Sequence, residues 1–323
     1  MLAHFIILIE PLFFLSETPT KPVSPNFNPY FTTFSIVACD PKAQLWGVAV
    51  QSKFPFVGNG VAWAKAGVGA VATQAYANLA FGPDGLTLLE KGLSAQQVLD
   101  ALLAGDTLKE QRQVGIIDKN GDAVNFTGRE CFNWTGGKVG ENYACQGNIL
   151  TGPEVVEAMA AAFENAAGKP LAERLLMALD SAQKVGGDRR GKESAHLLVV
   201  KKNGGYGGYV DRWIDIRVDD SPEPIDELKR LYYDVHQLYF GEIDLKKLVK
   251  IDKAVCTEIQ TVLKKLGYYK GEPNGVYDES IRKALSDWQG WENLEMRWRT
   301  DDFIDGVVLD YMRKHYEDEQ NLR

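Results

Sequence analysis

Histidine and cysteine are scarce in this chain, with four of each among 323 residues. The cysteines (Cys39, Cys131, Cys145, Cys256) form no C-x-x-C pair, and His4, His196, His236 and His315 stand far apart, so no spacing supports a zinc site. No metal and no cofactor is implied. Cys131 and Cys145 leave two readings open, a bond across a hairpin or two free buried thiols. A basic excess is also missing. The formal net charge of -8 argues against a nucleic-acid partner, because phosphate binding needs a basic face.

Long apolar runs are confined to residues 1–16, which hold neither the Lys or Arg nor the A-x-A site expected of a signal peptide. Glu10-Pro11 interrupts the run well short of a bilayer-spanning helix. Pro19, Pro22, Pro25 and Pro29 then make residues 18–30 an extended linker. An atypical export or anchor segment and an over-extended gene start both fit residues 1–31. The cytoplasm is the default compartment and the cell envelope the alternative.

The remainder has ordinary globular composition, 45% hydrophobic and 25% charged, and enough length for a large domain and a small one. Residues 33–39 and 45–52 read as a strand pair joined by the Asp40-Pro41-Lys42-Ala43-Gln44 turn. A Gly/Ala-rich stretch, 58–77, suggests strands or turns in close packing. Two helices follow: 83–92, with Pro83 near its start and Gly92 at its stop, and 95–104, capped by Ser94 with Gln97 in the capping-box position. A hairpin (113–117, 123–126), a strand (143–150), two helices (154–167, 171–185), two strands (195–201, 213–218) and a helix (224–239) complete the order. Strand pairs thus alternate with helix pairs. The expected class is α+β, a four-layer αββα sandwich of two antiparallel sheets with helices on each outside. A doubly wound parallel sheet is the rival, but hairpins suit it poorly.

Thr32 and Thr33 open the first strand. A hydroxyl at the head of a strand resembles the N-terminal nucleophile (Ntn) hydrolases, whose freed α-amine is the base for their own side-chain oxygen. An α-amine titrates near ~8 and needs no separate histidine. While 32 residues precede it, however, the Thr33 nitrogen is a peptide amide, and Thr33 is then an ordinary strand residue. Ser35, two residues on, shares its face. Asn148, in Gln146-Gly147-Asn148, is the candidate oxyanion donor. Gln51, Ser52 and Lys53 close the second strand toward the same mouth, and Lys53 would depress the pKa of a neighbouring amine. Gln74 and Asn78 are further candidates for holding substrate. Asp188 and Arg190 offer either a carboxylate clamp or a network that holds a loop. Gly204-Gly205-Tyr206-Gly207-Gly208 lacks the ending of a phosphate loop.

Residues 33–219 resemble the family called domain of unknown function 1028, which is grouped with Ntn-hydrolase-like folds. The resemblance rests on 33–38, 47–54, 66–74, Gln146-Gly147-Asn148 and Gly186-Gly187-Asp188-Arg189-Arg190-Gly191. Members commonly begin near Met-Thr, and Thr32 stands where that methionine would be. Residues 250–310 resemble a three-helix peptidoglycan-binding-like domain, through Gly267-Tyr268-Tyr269-Lys270-Gly271, Asn274-Gly275 and Trp288-Gln289. Leu263, Leu266, Ile281, Leu285 and Val308 are its expected core. Trp288, Trp291 and Trp298 either stack on a sugar or fill that core. The expected division is an extension (1–31), an Ntn-like domain (32–220), a connecting helix (221–249) and a helical module (250–323). Two functions follow: an amidohydrolase acting on an amide of a small metabolite or cell-wall peptide, or a silent scaffold that binds a ligand or forms a homo-oligomer.

Overall fold

The computed structural model describes residues 30–31 and 33–321. Its first strand, Tyr30–Phe31 (β1), belongs to a five-stranded sheet, and the chain then crosses to a six-stranded one. The second sheet begins with Thr33–Asp40 (β2) and Leu45–Ser52 (β3), the pair expected from the sequence. Asp40 closes their turn by accepting the Lys42 and Ala43 amides on its Oδ1, both at 3.0 Å. Ala62–Lys65 (β4), Gly69–Tyr76 (β5), Arg112–Asp118 (β6) and Ala123–Thr127 (β7) complete the five-stranded sheet in the order β1-β5-β6-β7, with β4 also on β5. Gly136–Gly140 (β8), Tyr143–Gly147 (β9), Ser194–Lys201 (β10) and Arg212–Val218 (β11) complete the other, ordered β11-β10-β3-β2-β9-β8. Every pairing among the described strands is antiparallel, which excludes the doubly wound rival.

Strands β2 and β3 are apolar on both sides because both sides are covered. Val37, Cys39, Trp46, Val48 and Val50 meet Ala70, Ala72 and Ile117 of the facing sheet. The alternate residues Phe34, Ile36 and Ala49 meet Val155, Met159, Phe163, Leu175 and Leu179. The last five come from Glu154–Asn165 (α3) and Leu171–Lys184 (α4), so the leucine face read from the sequence is the buried one. Phe81–Glu90 (α1) and Ala95–Ala104 (α2) pack on the five-stranded sheet through Phe81, Val98 and Leu99. The Ser94–Gln97 capping box forms as expected.

Two departures have local causes. The strand expected over 143–150 ends at Gly147, because Ile149 turns into the left-handed region at φ 52°. Strand β8 was not foreseen, since Gly136-Gly137-Lys138-Val139-Gly140 has little intrinsic strand preference and forms only by pairing with β9.

Pro224–Arg230 (α5) runs through a π-helical turn, Leu231–His236, into Gln237–Tyr239 (α6). Ile225, Leu228 and Tyr232 of this helix belong to the core under α3 and α4, whereas Leu238 and Tyr239 pack on the C-terminal core. That second core joins Lys253–Lys265 (α7), Glu279–Trp291 (α8) and Gly306–Asn321 (α9). Leu263, Ile281, Leu285 and Val308 are fully buried in it, and Leu266 lies at its margin. A short ladder, Leu248–Lys250 (β12) with Phe303–Asp305 (β13), closes the module. Gln260 holds the Asn274-Gly275 turn, its Oε1 accepting both amides at 2.9 and 2.8 Å. No helix among the described residues is long and apolar enough to cross a membrane.

Candidate functional site

Alternation along β2 turns Thr33 and Ser35 toward the five-stranded sheet, on the face of Val37 and Cys39. Register then supplies their neighbours. Ser52 lies opposite Thr33, Gln146 opposite Ser35, and Gln74 and Gln113 are paired in the facing sheet. The Thr33 hydroxyl donates to Ser52 Oγ at 3.3 Å. The Thr33 carbonyl accepts from the Asn148 amide at 3.0 Å and from Gln74 Nε2 at 3.2 Å. Ser35 donates to Gln74 Oε1 at 2.6 Å and accepts from Gln146 Nε2 at 2.7 Å.

Gln113 is the hub. Its Oε1 accepts from Gln74 Nε2 at 2.8 Å and from Asn148 Nδ2 at 3.0 Å, while its Nε2 donates to the Gly147 carbonyl at 2.8 Å and Thr127 Oγ1 at 2.9 Å. Gly115 makes room for Gln146: a Cβ there would stand 2.3 Å from Gln146 Oε1. That oxygen is buried and has no hydrogen-bond partner among the described residues. Thr33, Ser35, Ser52, Gln74, Gln113, Gln146 and Asn148 are all at most 2% exposed. Thr33 and Ser35 hydrogen-bond only to neutral groups among the described residues, so the cluster holds hydroxyls and amides but no side-chain base.

Gln113 and Gln146 were not among the candidates read from the sequence. The legible signal was a glutamine at an inward strand position between apolar residues, in Gln113-Val114-Gly115-Ile116-Ile117 and Tyr143-Ala144-Cys145-Gln146.

Other expected residues lie apart from this network. Gln51 is buried but sits on the opposite face of β3, with Ala49 toward the helices, and neither of its amide atoms finds a partner among the described residues. Its expected place at the mouth is corrected by the two-residue period. Lys53 turns its ammonium to Glu193, and its backbone amide donates to Asp188 Oδ2 at 3.1 Å. Asp188 also accepts from the Arg190 amide at 2.9 Å, Arg190 Nε at 3.2 Å and Arg190 Nη2 at 2.9 Å. Burial raises the Asp188 pKa from its ordinary value, with Arg190 and the Lys53 amide pulling the other way. Asp188 bridges to Leu150, and Arg189 N donates to the Ile149 carbonyl at 2.9 Å. The Asp188–Arg190 pair thus holds the loop against the segment bearing Asn148. Asn78 lines a separate cavity of about 590 Å³ with Asp106 and Arg112, and its Nδ2 reaches Asp106 Oδ2 at 3.4 Å.

In the C-terminal module Trp288 is 0% exposed and fills the core, which is the second of its two expected roles, and its face is closed to a sugar. Trp298 packs partly buried on the core, and Trp291 is 77% exposed. The described residues contain no group of three or more His, Cys, Asp or Glu side chains able to hold a metal ion.

Residues 33–228 match the model of a family described as "Family of unknown function (DUF1028)", and residues 239–312 that of a "Putative peptidoglycan binding domain". The crystal structure of protein SPO2555 from Silicibacter pomeroyi, to which the DUF1028 model also applies, is similar at 28% identity and a TM-score of 0.58. The similarity covers 64% of this chain and 89% of that one. No curated protein matches the chain.

Proposed function

The chain belongs to the DUF1028 family and carries a peptidoglycan-binding-like domain, and from that premise we propose that residues 32–220 are a latent Ntn-type amidohydrolase on an αββα sandwich. Helices α1 and α2 on one sheet, and α3 and α4 on the other, support the four-layer reading. In the proposed division residues 221–249, helical over 224–239, link this domain to a module at 250–323.

One observation carries the catalytic reading. Thr33 heads β2 where the two sheets meet, its carbonyl held from two sides by the Asn148 and Gln74 amides and its hydroxyl directed to Ser52 Oγ. With the 32–33 bond intact the cluster has no base. Breaking it creates one, the Thr33 α-amine. The amine would take the hydroxyl proton as Oγ1 attacks an amide carbonyl. Asn148 Nδ2, which donates to Gln113 Oε1 in the intact chain, would be the amide donor to the oxyanion. Collapse of the tetrahedral adduct breaks the C–N bond, and the α-ammonium returns the proton to the leaving amine. Water activated by the same amine then hydrolyses the ester. The substrate class is an amide of a small metabolite or of cell-wall peptide.

A second reading has its own support. Thr33, Ser35 and their amide partners are fully buried and paired with one another, as in a silent scaffold that binds a ligand or self-associates. A chain beginning at Thr33 and its Thr33→Ala partner, screened on acyl-amides and peptides, separate the two. The enzyme reading expects a loss of at least ~100-fold on substitution. Equal rates remove Thr33 from the mechanism, and no turnover in either favours the scaffold.

A further inference from the structure

A cleft of about 500 Å³ lies between the connecting helix and α9. Tyr233 and Asp234, from the π-helical turn, form one wall. Asp310, Tyr311 and Lys314, at helical spacing on α9, form the other, and Lys247 closes one end. The size is that of a small-ligand site, and a junction between two packed units is where such sites concentrate.

The two rings are held in place from behind. Tyr311 packs on the buried Trp288 at 6.2 Å between centroids and donates to Glu292 Oε2 at 2.9 Å. Tyr233 sits edge-on to buried Tyr232 at 4.9 Å and is 45% exposed. Asp310 pairs with Arg313 at 3.4 Å, whereas Asp234, Lys247 and Lys314 form no ion pair among the described residues, so those three charges remain for a ligand.

A lipid or nucleic-acid site would not mix signs in this way. A glycan that carries a short peptide matches each element: sugar rings for the tyrosine faces, carboxylates for the lysines, and an amide or ammonium group for Asp234. We infer that this cleft, rather than the module's tryptophans, is where the chain takes a peptidoglycan fragment. The inference rests on the reading of residues 239–312 as a peptidoglycan-binding module.

The test is cosedimentation of the full chain with purified sacculi, followed by titration with a soluble disaccharide–peptide. Tyr233→Ala and Lys314→Ala, both exposed positions, should each weaken binding at least ~10-fold with unchanged melting temperature, and Trp291→Ala should bind as the parent does. If the parent binds and the cleft variants bind equally well, the cleft is wrong while the module's ligand stands. If the parent stays in the supernatant, the ligand reading falls and takes the cleft with it.

Discussion

The Asn148 backbone amide donates to the Thr33 carbonyl at 3.0 Å, so the residue offered as oxyanion donor is tied to the proposed nucleophile through main chain, not side chain. Asn148→Ala therefore removes the amide without releasing Thr33. In a chain beginning at Thr33 it should lower kcat by ~10²–10³ with little change in KM, at a stability cost of about 1–2 kcal/mol. Steady-state kinetics beside urea unfolding check both. A loss confined to KM would move Asn148 from oxyanion to substrate binding.

Gln113→Leu tests the buried network itself. It takes one partner from each of Gln74 Nε2, Asn148 Nδ2 and the Gly147 carbonyl in a buried site. Unfolding should become easier by about 2–4 kcal/mol, read from the urea midpoint.

Arg297 joins the connecting helix to the C-terminal module. Its guanidinium is 3% exposed, pairs with buried Asp305, and donates to the Gln237 and Leu238 carbonyls at the helix end. Arg297→Met strands Asp305 as an unpaired buried charge and should cost about 3–5 kcal/mol, while Asp305→Asn added to it should recover part of the loss. Thermal unfolding of Arg297→Met, Asp305→Asn and the double variant decides. Additive losses would show that the two groups do not act as a pair.

Acid should weaken the fold in two windows. Burial holds His196 below its ordinary value of 6.5 despite the Asp215 hydrogen bond, and burial does the same to His236 despite its bond to the Trp213 carbonyl. The unfolded chain then binds protons that the folded one refuses. Their contribution is therefore complete above pH 6.5 and shrinks as pH falls below it, by up to ~1.4 kcal/mol per pH unit for each group. Burial alone would raise Asp215, but His196, Arg217 and Arg212 outweigh it and bring the pKa down to about 2. Its contribution is present above 3.8 and is lost as pH falls toward 2. His196→Gln should flatten the first window between pH 5 and 7 in urea midpoints, leaving the share due to His236. An unchanged slope would show that His196 does not titrate there.

The four cysteines are free and buried. Burial, with Asp118 and Asp40 nearby, pushes the Cys39 thiol up to about 12; burial takes Cys131 to about 11 and also raises Cys145 and Cys256. A thiol-specific disulfide reagent should label none in the native chain and all four in denaturant. Rapid native labelling of any one would mean that its surroundings open.

Much of the architecture was legible in order and periodicity. The 33–39 and 45–52 strands read as strands because residues on both faces are apolar, and the 171–185 helix because Leu171, Leu175, Leu176 and Leu179 share one face. The Ser94 capping box and the Asp40 turn are local devices whose partners lie within a few residues, so they too could be read. The site was only half legible. Thr33, Ser35, Ser52, Gln74 and Asn148 do come together, but Gln113 and Gln146 were passed over and Gln51 was placed on the wrong face.

The sequence by itself determined which segments bury an apolar face, and hence the antiparallel pairs, the helix pairs and two separate cores. Only the tertiary structure decided which polar residues share a space, because register between Ser35 and Gln146, or between Gln74 and Gln113, joins positions 111 and 39 residues apart. It also decided that Trp288 supports Tyr311 from within the core while Tyr233 and Lys314 face a cleft. Such juxtapositions depend on how cores pack against one another. No local pattern carries that information, since a residue's own neighbours in the chain set its direction but not what stands opposite.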